Sequence, residues 1–187
     1  ITGIVAKEPM TVTGDGVSSL YQLIMEVPRY ILQIDALTQI YGQRMQQILA
    51  KGEELILAPY GNHARGSRFI DWTDRADDVM QKNMDAVCKQ IDGFYYGRMD
   101  IRYDTIELLR EGKNFSIIEL NGSGSEPTHM YDPKHSVFFA WREIMRHWRV
   151  MCKISMINHR KGVPYMTRAE GIAMLKANAA LVKKISS

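Results

Sequence analysis

Cysteine is scarce in this chain, and long apolar runs are absent from it. The two cysteines, Cys88 and Cys152, lie in segments with helical periodicity and lack the spacing of a metal or redox site. We interpret them as reduced core thiols of a cytoplasmic protein. No apolar run approaches the roughly 20 residues that a membrane span requires, and no signal peptide is visible, so we expect no membrane partner.

Strong charge and internal repeats are also missing. The net charge is +3, from 24 basic and 21 acidic residues, which is too small to indicate a nucleic-acid partner. The 187 residues, of which 45% are hydrophobic, are enough for a globular core. The chain starts at Ile1 in a strand-like stretch without an initiator methionine. We therefore expect it to be a fragment cut near a domain boundary.

Hydrophobic periodicity predicts an α+β fold. Short alternating stretches predict strands at 1–7, Met10–Thr13, 54–60 and 67–72. Apolar residues at helical spacing predict helices after the loop at Gly16, over 31–50, 74–91 and 134–158, and from Thr167, where Thr167 and Glu170 fit a capping box. The core-facing positions predicted in these helices include Ile31, Ile40, Ile48, Val79, Val137, Trp141, Met145, Trp148, Ile172, Leu175, Ala179, Val182 and Ile185.

Two loops carry polar and glycine residues typical of ligand contacts. Gly14-Asp15-Gly16 connects a strand to a helix and could hold an anion on backbone N–H groups, although such triplets are mostly turns. The loop from Gly61 to Gly66 concentrates Asn62, His63 and Arg65. His63 and Arg65 could meet a phosphate or carboxylate, while a lone loop histidine is more often only solvated.

The stretch from Gly93 to Pro133 contains the strongest candidate site. Alternation predicts a strand over 93–103, with Arg98, Asp100 and Arg102 on one face, and a second strand with Glu119 and Asn121 on one face. If the strands are neighbours, an all-oxygen cluster forms beside a guanidinium, as hard divalent cations prefer. A solvated sheet face with an Arg–Asp pair explains the same alternation. The following loop has two glycines that allow close approach to a ligand, and its polar residues are Ser123, Ser125 and Glu126, with Gly124 between the serines.

The blocks Gly97-Arg98-Met99-Asp100 and Ile118-Glu119-Leu120-Asn121 resemble the end of the ATP-grasp fold of D-alanine–D-alanine ligases and related carboxylate-amine ligases. In that family the matching Asp, Glu and Asn bind two magnesium ions. The resemblance therefore implies metal roles for Asp100, Glu119 and Asn121, and contact of Arg98 with the transferring phosphate or the tetrahedral intermediate. The spacing from Asp100 to Glu119 is longer than in those ligases, which implies a larger hairpin.

Two further segments carry the resemblance across most of the chain. Val12-Thr-Gly-Asp-Gly16 with Leu23-Ile24 resembles the loop and helix near the active site of cyanophycin synthetases and bifunctional glutathione synthetases, which implies an ATP-side role for Gly14, Asp15 and Gly16. The segment from Asn62 to Gly66 resembles their substrate loop in a departed form. A family of uncharacterised bacterial D-alanine–D-alanine ligase-like proteins is similar in three motifs, which are Gly61-Asn-His-x-Arg-Gly66, Phe94-Tyr-Tyr-Gly-Arg98 and Asn121-Gly-x-Gly-Ser-Glu-Pro127. The resemblance implies substrate or phosphate contacts for these residues: Asn62, His63, Arg65, Gly66, Arg102, Ser123, Gly124, Ser125 and Glu126.

The resemblance implies the C-terminal subdomain of an ATP-grasp fold, a mostly antiparallel sheet flanked by helices. Residues 1–133 would belong to that domain, and 134–187 would form a helical extension. The glycine-rich loop, phosphate-binding lysines and adenine contacts of the N-terminal subdomain are not visible in the sequence, so the fragment alone is expected to be inactive. The implied function is an ATP- and Mg²⁺-dependent ligase that joins a small carboxylate to an amine or thiol through an acyl phosphate. The alternative is a degenerate ATP-grasp module that binds nucleotide or metal for regulation.

Overall fold

The computed structural model describes residues 1–58 and 66–185, and it divides the chain into two compact units, Ile1–Met145 and Arg146–Ser187. The division falls within the long helix α6. The predicted domain boundary at 133/134 stays a prediction. No helix among the described residues is long and apolar enough to cross a membrane.

Helices and short strands alternate along the chain. The strands are β1 (Val5–Glu8), β2 (Met10–Thr13), β3 (Glu54–Ala58), β4 (Arg68–Asp71), β5 (Arg98–Tyr103) and β6 (Phe115–Asn121). The helices are α1 (Leu20–Met25), α2 (Pro28–Ile31), α3 (Ile34–Tyr41), α4 (Asp78–Cys88), α5 (Ile106–Arg110), α6 (Val137–Arg160) and α7 (Arg168–Ile185). Single 3₁₀ segments cover Gly42–Gln46, Thr73–Arg75 and Thr128–Tyr131.

The described strands form three antiparallel pairs: β1 with β4, β2 with β3, and β5 with β6. This pairing confirms the predicted α+β class with antiparallel sheets and a C-terminal helix. The segment from Gly93 to Gly97, predicted as strand, consists instead of turns and bends before β5. The connection from β5 to β6 contains α5 in addition to its polar turn, because Thr105 caps that helix by accepting a hydrogen bond from the Leu108 N–H at 3.2 Å.

Two apolar clusters hold the first unit together. The larger one contains β2, β3 and the first three helices, and its buried members are Met10, Val12, Leu20, Leu23, Ile24, Leu37, Met45, Leu49 and Leu57. The smaller cluster consists of Met80 and Met84 of α4 and Leu109 of α5, with Ile101 of β5 and Phe115 of β6 packed against it. Because the smaller cluster contacts β5 and β6, it fixes the strand pair that carries the candidate site.

Several apolar positions predicted to face the core are exposed instead. The predicted helix over 31–50 breaks into α2, α3 and a 3₁₀ segment, since Gly42 has φ +50° and ends α3. The three segments do not share one continuous helix face, and Ile31, Ile40 and Ile48 are exposed. Val79 of α4 is exposed as well, whereas the neighbouring Met80 is buried.

The predicted core face of α6 is wrong. The side chains of Val137, Trp141, Met145 and Trp148 are exposed, and the buried residues of α6 are Glu143 and His147. Residues four apart share a helix face, so Glu143 and His147 define a buried face on which the apolar stripe does not lie. Burial of Glu143 is stabilised by His129, whose Nε2 lies 3.3 Å from Glu143 Oε2.

The second unit confirms the start of α7 and contradicts its predicted core face. The Glu170 N–H donates to Thr167 Oγ1 at 3.2 Å and the Thr167 N–H donates to Glu170 Oε2 at 2.7 Å, as the capping box requires. No residue of α7 within the described part is buried, so Ile172, Leu175, Ala179, Val182 and Ile185 do not form a core stripe. Both cysteines are free thiols in helices, but Cys152 is exposed and Cys88 only half-buried, so neither is a core thiol.

Candidate functional site

The β5–β6 pair brings together the four side chains predicted to bind metal and phosphate. Arg98 faces Asn121 across the pair, and Asp100 faces Glu119. Residues directly opposite each other on antiparallel strands project from one face with Cβ atoms about 4.5–5.5 Å apart. Strand register therefore places two carboxylates, one amide and one guanidinium on a single face, while their roles in binding stay predictions.

The carboxylate of Asp100 is held by two cations. Lys7 Nζ donates to Asp100 Oδ2 at 2.6 Å, and Arg98 Nε donates to Asp100 Oδ1 at 3.0 Å. The Asp100 side chain is only 16% exposed. Screening by water is thus reduced, and the two ion pairs fix the direction of the carboxylate more firmly than surface pairs would.

Glycine is needed immediately before Arg98. A Cβ on Gly97 would lie 2.2 Å from the backbone oxygen of Asn121 and 2.4 Å from the Phe94 ring. Any larger residue would push the start of β5 away from the end of β6. Gly97 therefore allows the close approach that sets Arg98 opposite Asn121.

A bulge on β6 immediately precedes Glu119. The register shifts between Asp100 and Ile101, so that Ile101 faces Ile117 and Ile118 is the extra residue. Ile118 is exposed, and the alternation predicted for β6 is interrupted there. Because of this shift Arg102 faces Ser116 instead of Ile117, and its side chain is exposed.

The donor set fits a divalent cation that keeps further ligands of its own. Asn121 has a buried Nδ2 with no hydrogen-bond partner among the described residues. Because the amide oxygen and nitrogen exchange by a flip, the same position can present an oxygen acceptor. Glu119 is exposed and makes no ion pair within residues 1–58 and 66–185. Two carboxylates and one amide suit Mg²⁺, which takes few protein ligands and completes its shell with water and phosphate oxygens.

Protein side chains alone do not form a complete metal site in the described part of the chain. In the described part of the chain, no group of three or more His, Cys, Asp or Glu side chains is arranged to hold a metal ion. The candidate site has only Asp100 and Glu119 of these types. The side chains alone would thus bind a cation weakly, and an added anionic ligand such as a polyphosphate would strengthen that binding.

The loop after β6 is a hydrogen-bonded turn with its polar groups near the surface. The N–H and the hydroxyl of Ser125 both donate to the Gly122 carbonyl, at 3.0 and 2.8 Å. Ser123, Gly124 and Glu126 are exposed. The Tyr131 hydroxyl donates to the Glu126 carboxylate, and this hydrogen bond raises the pKa of Tyr131 to about 12.

Buried polar contacts anchor the far end of this loop to β4. The Asp71 N–H donates to Asp132 Oδ2 at 2.7 Å, and His135 Nε2 lies 2.7 Å from Asp71 Oδ2. Burial acts to raise the pKa of Asp132, but hydrogen bonds from the Lys134 and Asp71 amides outweigh burial and lower it. The His135 ring stacks on Phe139 with centroids 3.7 Å apart. These contacts position the chain between the loop and α6.

The Asp15 carboxylate accepts hydrogen bonds from residues of its own turn. Its carboxylate accepts hydrogen bonds from the amides of Val17 and Ser18 at 2.8 and 2.7 Å, and from the Ser18 hydroxyl at 2.6 Å. The Ser18 hydroxyl, followed by the two amides, lowers the pKa of Asp15 to about 2. Gly14 is buried, and a Cβ on it would lie 2.3 Å from the Ala50 oxygen. The geometry is that of a closed turn, and the ATP-side role of Gly14, Asp15 and Gly16 stays a prediction.

The second predicted substrate loop is only partly described. Asn62, His63 and Arg65 lie outside the described residues. Gly66 has φ +92°, and a Cβ there would lie 2.2 Å from Met10 Sδ, so packing alone accounts for this glycine. Its carbonyl accepts a hydrogen bond from Arg29 Nε at 2.9 Å.

Sequence reasoning missed Lys7 and Tyr131. Lys7 is a half-buried cation within β1, and a lysine in a short apolar strand was the available signal. Its contact with Asp100 joins residues 93 positions apart, which periodicity does not predict. Tyr131 had no signal beyond being an aromatic residue near Glu126.

Comparison with protein-family models finds no match. The chain is 27% identical over 141 residues to the glutathione biosynthesis bifunctional protein GshAB of Desulfotalea psychrophila, covering 65% of this chain and 18% of that protein. It is also 27% identical over 154 residues to GshAB of Clostridium perfringens, covering 72% of this chain and 19% of that protein. The chain thus spans about a fifth of the length of these curated relatives.

Proposed function

We propose that this chain supplies the metal- and phosphate-binding side of an ATP-dependent ligase of the ATP-grasp type. The ligase would activate a carboxylate as an acyl phosphate and pass the acyl group to an amine or thiol. The observation that carries the proposal is the register of β5 and β6, in which Asp100 faces Glu119 and Arg98 faces Asn121. The similarity to two GshAB proteins supports an ATP-dependent ligase in general.

The chemistry of such a ligase matches these side chains. A carboxylate is a poor electrophile, so ATP converts it to an acyl phosphate, and a nucleophile then displaces phosphate with release of ADP. Phosphoryl transfer requires mainly positioning and neutralisation of the charge on the moving group. A site with one guanidinium and a cluster of metal-binding oxygens provides both.

Each side chain has a distinct role in this proposal. Asp100, Glu119 and Asn121 would hold Mg²⁺, which supplies Lewis-acid stabilisation of the phosphate oxygens when bound. Only the Nε of Arg98 is engaged, on Asp100, and its other N–H donors have no hydrogen bond to the described residues. Those donors can meet the phosphoryl group as its charge develops.

The loop after β6 lies where it can position the carboxylate and the nucleophile. It follows directly on Asn121, and its exposed groups are Ser123 and Glu126. Glu126, held by Tyr131, would pair with an ammonium or amine group, and Arg102 would attract an anionic substrate. The two relatives are named for glutathione biosynthesis, and we propose that the substrates of this chain are likewise amino-acid-like.

Trapping of the acyl intermediate tests the proposal. Full-length protein is incubated with ATP, Mg²⁺ and a panel of small carboxylates in the presence of hydroxylamine. We expect a hydroxamate to form together with ADP for the correct acid, because hydroxylamine attacks the acyl phosphate. Formation of AMP and pyrophosphate, or of ADP without hydroxamate for every acid tested, would contradict the ligase and favour a nucleotide-binding module.

A further inference from the structure

Lys7 contacts the candidate site from outside the strand pair that forms it. It lies in β1, which pairs with β4 and not with β5 or β6. Its ammonium group is 2.6 Å from Asp100 Oδ2, and it also lies 5.8 Å from the centroid of the Phe69 ring. The side chain is 28% exposed, so this is a partly desolvated ion pair and not a surface contact.

The Lys7 ammonium group is hydrogen-bonded to a carboxylate oxygen of Asp100 that a metal ion would need. Arg98 already donates to Asp100 Oδ1, and Lys7 donates to Oδ2. A divalent cation bound to the same carboxylate at about 2.0–2.6 Å would stand beside the Lys7 ammonium and be repelled by it. Lys7 and the cation therefore compete for Asp100.

A Lys7 side chain displaced from Asp100 could pair with the phosphate oxygens of a bound polyphosphate. Its ammonium is a compact charge on a flexible four-carbon stem with three donors, so it can move away while its backbone stays in β1. In a site that also holds a polyphosphate, the phosphate oxygens would offer Lys7 negative charge in place of Asp100. The move would exchange one charge-assisted hydrogen bond for another.

We infer that Lys7 is an exchangeable positioning residue: it holds Asp100 when no divalent cation is bound, and it shifts to a phosphate oxygen when cation and polyphosphate bind. The inference rests on the proposed function, because it takes Asp100 as a metal ligand. It adds a phosphate-binding group from the chain's own β1. A lysine with only a structural role would not show the pattern of effects that follows.

The test uses two titrations of the 187-residue chain without ATP turnover. Binding of Mn²⁺ alone is followed by the loss of the free-ion paramagnetic resonance signal, and binding of inorganic pyrophosphate is then measured at saturating Mn²⁺. We expect Lys7→Met to bind Mn²⁺ about threefold to tenfold more tightly than the wild-type chain and to bind pyrophosphate at least threefold more weakly. Lys7→Arg, which keeps the charge, is expected to resemble the wild type in both titrations.

Matched variants separate this inference from the proposed function. Lys113, whose ammonium pairs with Glu111 at 2.9 Å, supplies the control Lys113→Met, which should change neither titration. If Lys7→Met does not fold by circular dichroism, Lys7→Gln takes its place. The role of Lys7 is overturned if Lys7→Met binds Mn²⁺ no more tightly than the wild-type chain does, and this includes the case in which neither chain binds Mn²⁺. It is also overturned if Lys7→Met binds pyrophosphate as tightly as the wild-type chain. Loss of Mn²⁺ binding in Asp100→Asn with wild-type behaviour of Lys7→Met would sink only this inference, whereas an Asp100→Asn chain that binds Mn²⁺ normally would remove the metal assignment itself.

Discussion

Asp100 and Glu119 face each other across the antiparallel β5–β6 pair. Like charges directly opposite each other in a sheet are destabilising, so this arrangement needs positive charge nearby. Arg98 and Lys7 supply it in the structure, both on Asp100, while Glu119 has no ion partner among residues 1–58 and 66–185. The face is therefore suited to accept a further cation between the two carboxylates.

Arg98 should matter more for the rate than for nucleotide binding. An interaction that is made mostly in the transition state affects turnover and leaves ground-state affinity nearly unchanged. We expect Arg98→Met to lower turnover of the full-length protein about a hundredfold or more, with a change in ATP affinity of less than about fivefold. Steady-state kinetics and an equilibrium ATP titration measure the two quantities.

A surface arginine serves as the control for Arg98. Arg110 of α5 pairs with Asp77, neither residue belongs to β5 or β6, and both side chains are about half exposed, at 48% and 43%. Arg110→Met should leave turnover within about twofold of wild type, since exposed ion pairs contribute little. A loss of ATP affinity in Arg98→Met as large as its loss of turnover would assign Arg98 to simple nucleotide binding.

Asp15 should make the loop before α1 sensitive to acid. Its pKa is lowered from 3.8 to about 2 in the folded chain, mainly by the Ser18 hydroxyl. Stability from this carboxylate is thus present above pH 3.8 and lost as the pH falls through about 2, because the unfolded chain takes up the proton first. In urea unfolding, the difference between wild type and Asp15→Asn should shrink over this range.

Ser18→Ala gives the matching test of the cause. Removal of the hydroxyl removes the first of the hydrogen bonds that lower the pKa of Asp15. The pH dependence of unfolding should then move upward, toward that of an ordinary carboxylate. A wild-type pH profile in Ser18→Ala would show that the backbone amides alone set the pKa.

Tyr131 should ionise at a higher pH than an ordinary tyrosine if the loop after β6 is held as in the structure. Its pKa is raised from 10.0 to about 12 by the hydrogen bond to Glu126. The contribution of this bond to stability is present below pH 10 and lost as the pH rises toward 12. Ultraviolet titration should show a late tyrosinate component that is missing in Tyr131→Phe and moves to lower pH in Glu126→Gln.

The strands of the site followed from sequence, whereas their surroundings did not. Period-two alternation placed Arg98 and Asp100 on one strand and Glu119 and Asn121 on another, and the structure shows that the two strands, β5 and β6, are paired. Alternation did not reveal the bulge at Ile118, because a bulge inserts a residue without changing composition. It also did not reveal the turn at Gly93. The contact of Lys7 with Asp100 could not be predicted, because the two residues are far apart in the sequence and no local pattern links them.

For α6 and α7, the sequence predicted the helices but not the burial of their faces. Apolar spacing identified α6 and α7 as helices, but it did not identify which face is buried. In α6 the buried face carries Glu143, which the contact with His129 stabilises, and the aromatic stripe is exposed. Tertiary pairing of polar side chains thus overrides an amphipathic pattern, and the pairing partner lies outside the helix.

Linkage between magnesium and ATP binding is the most direct measurement of the metal site. The dissociation constant of ATP is measured by calorimetry with full-length protein, with Mg²⁺ and with EDTA, for wild type, Asp100→Asn and Glu119→Gln. We expect Mg²⁺ to tighten ATP binding by the wild-type protein and each substitution to reduce this effect at least tenfold. The same Mg²⁺ effect in both variants as in wild type would contradict the assignment of Asp100 and Glu119 as metal ligands.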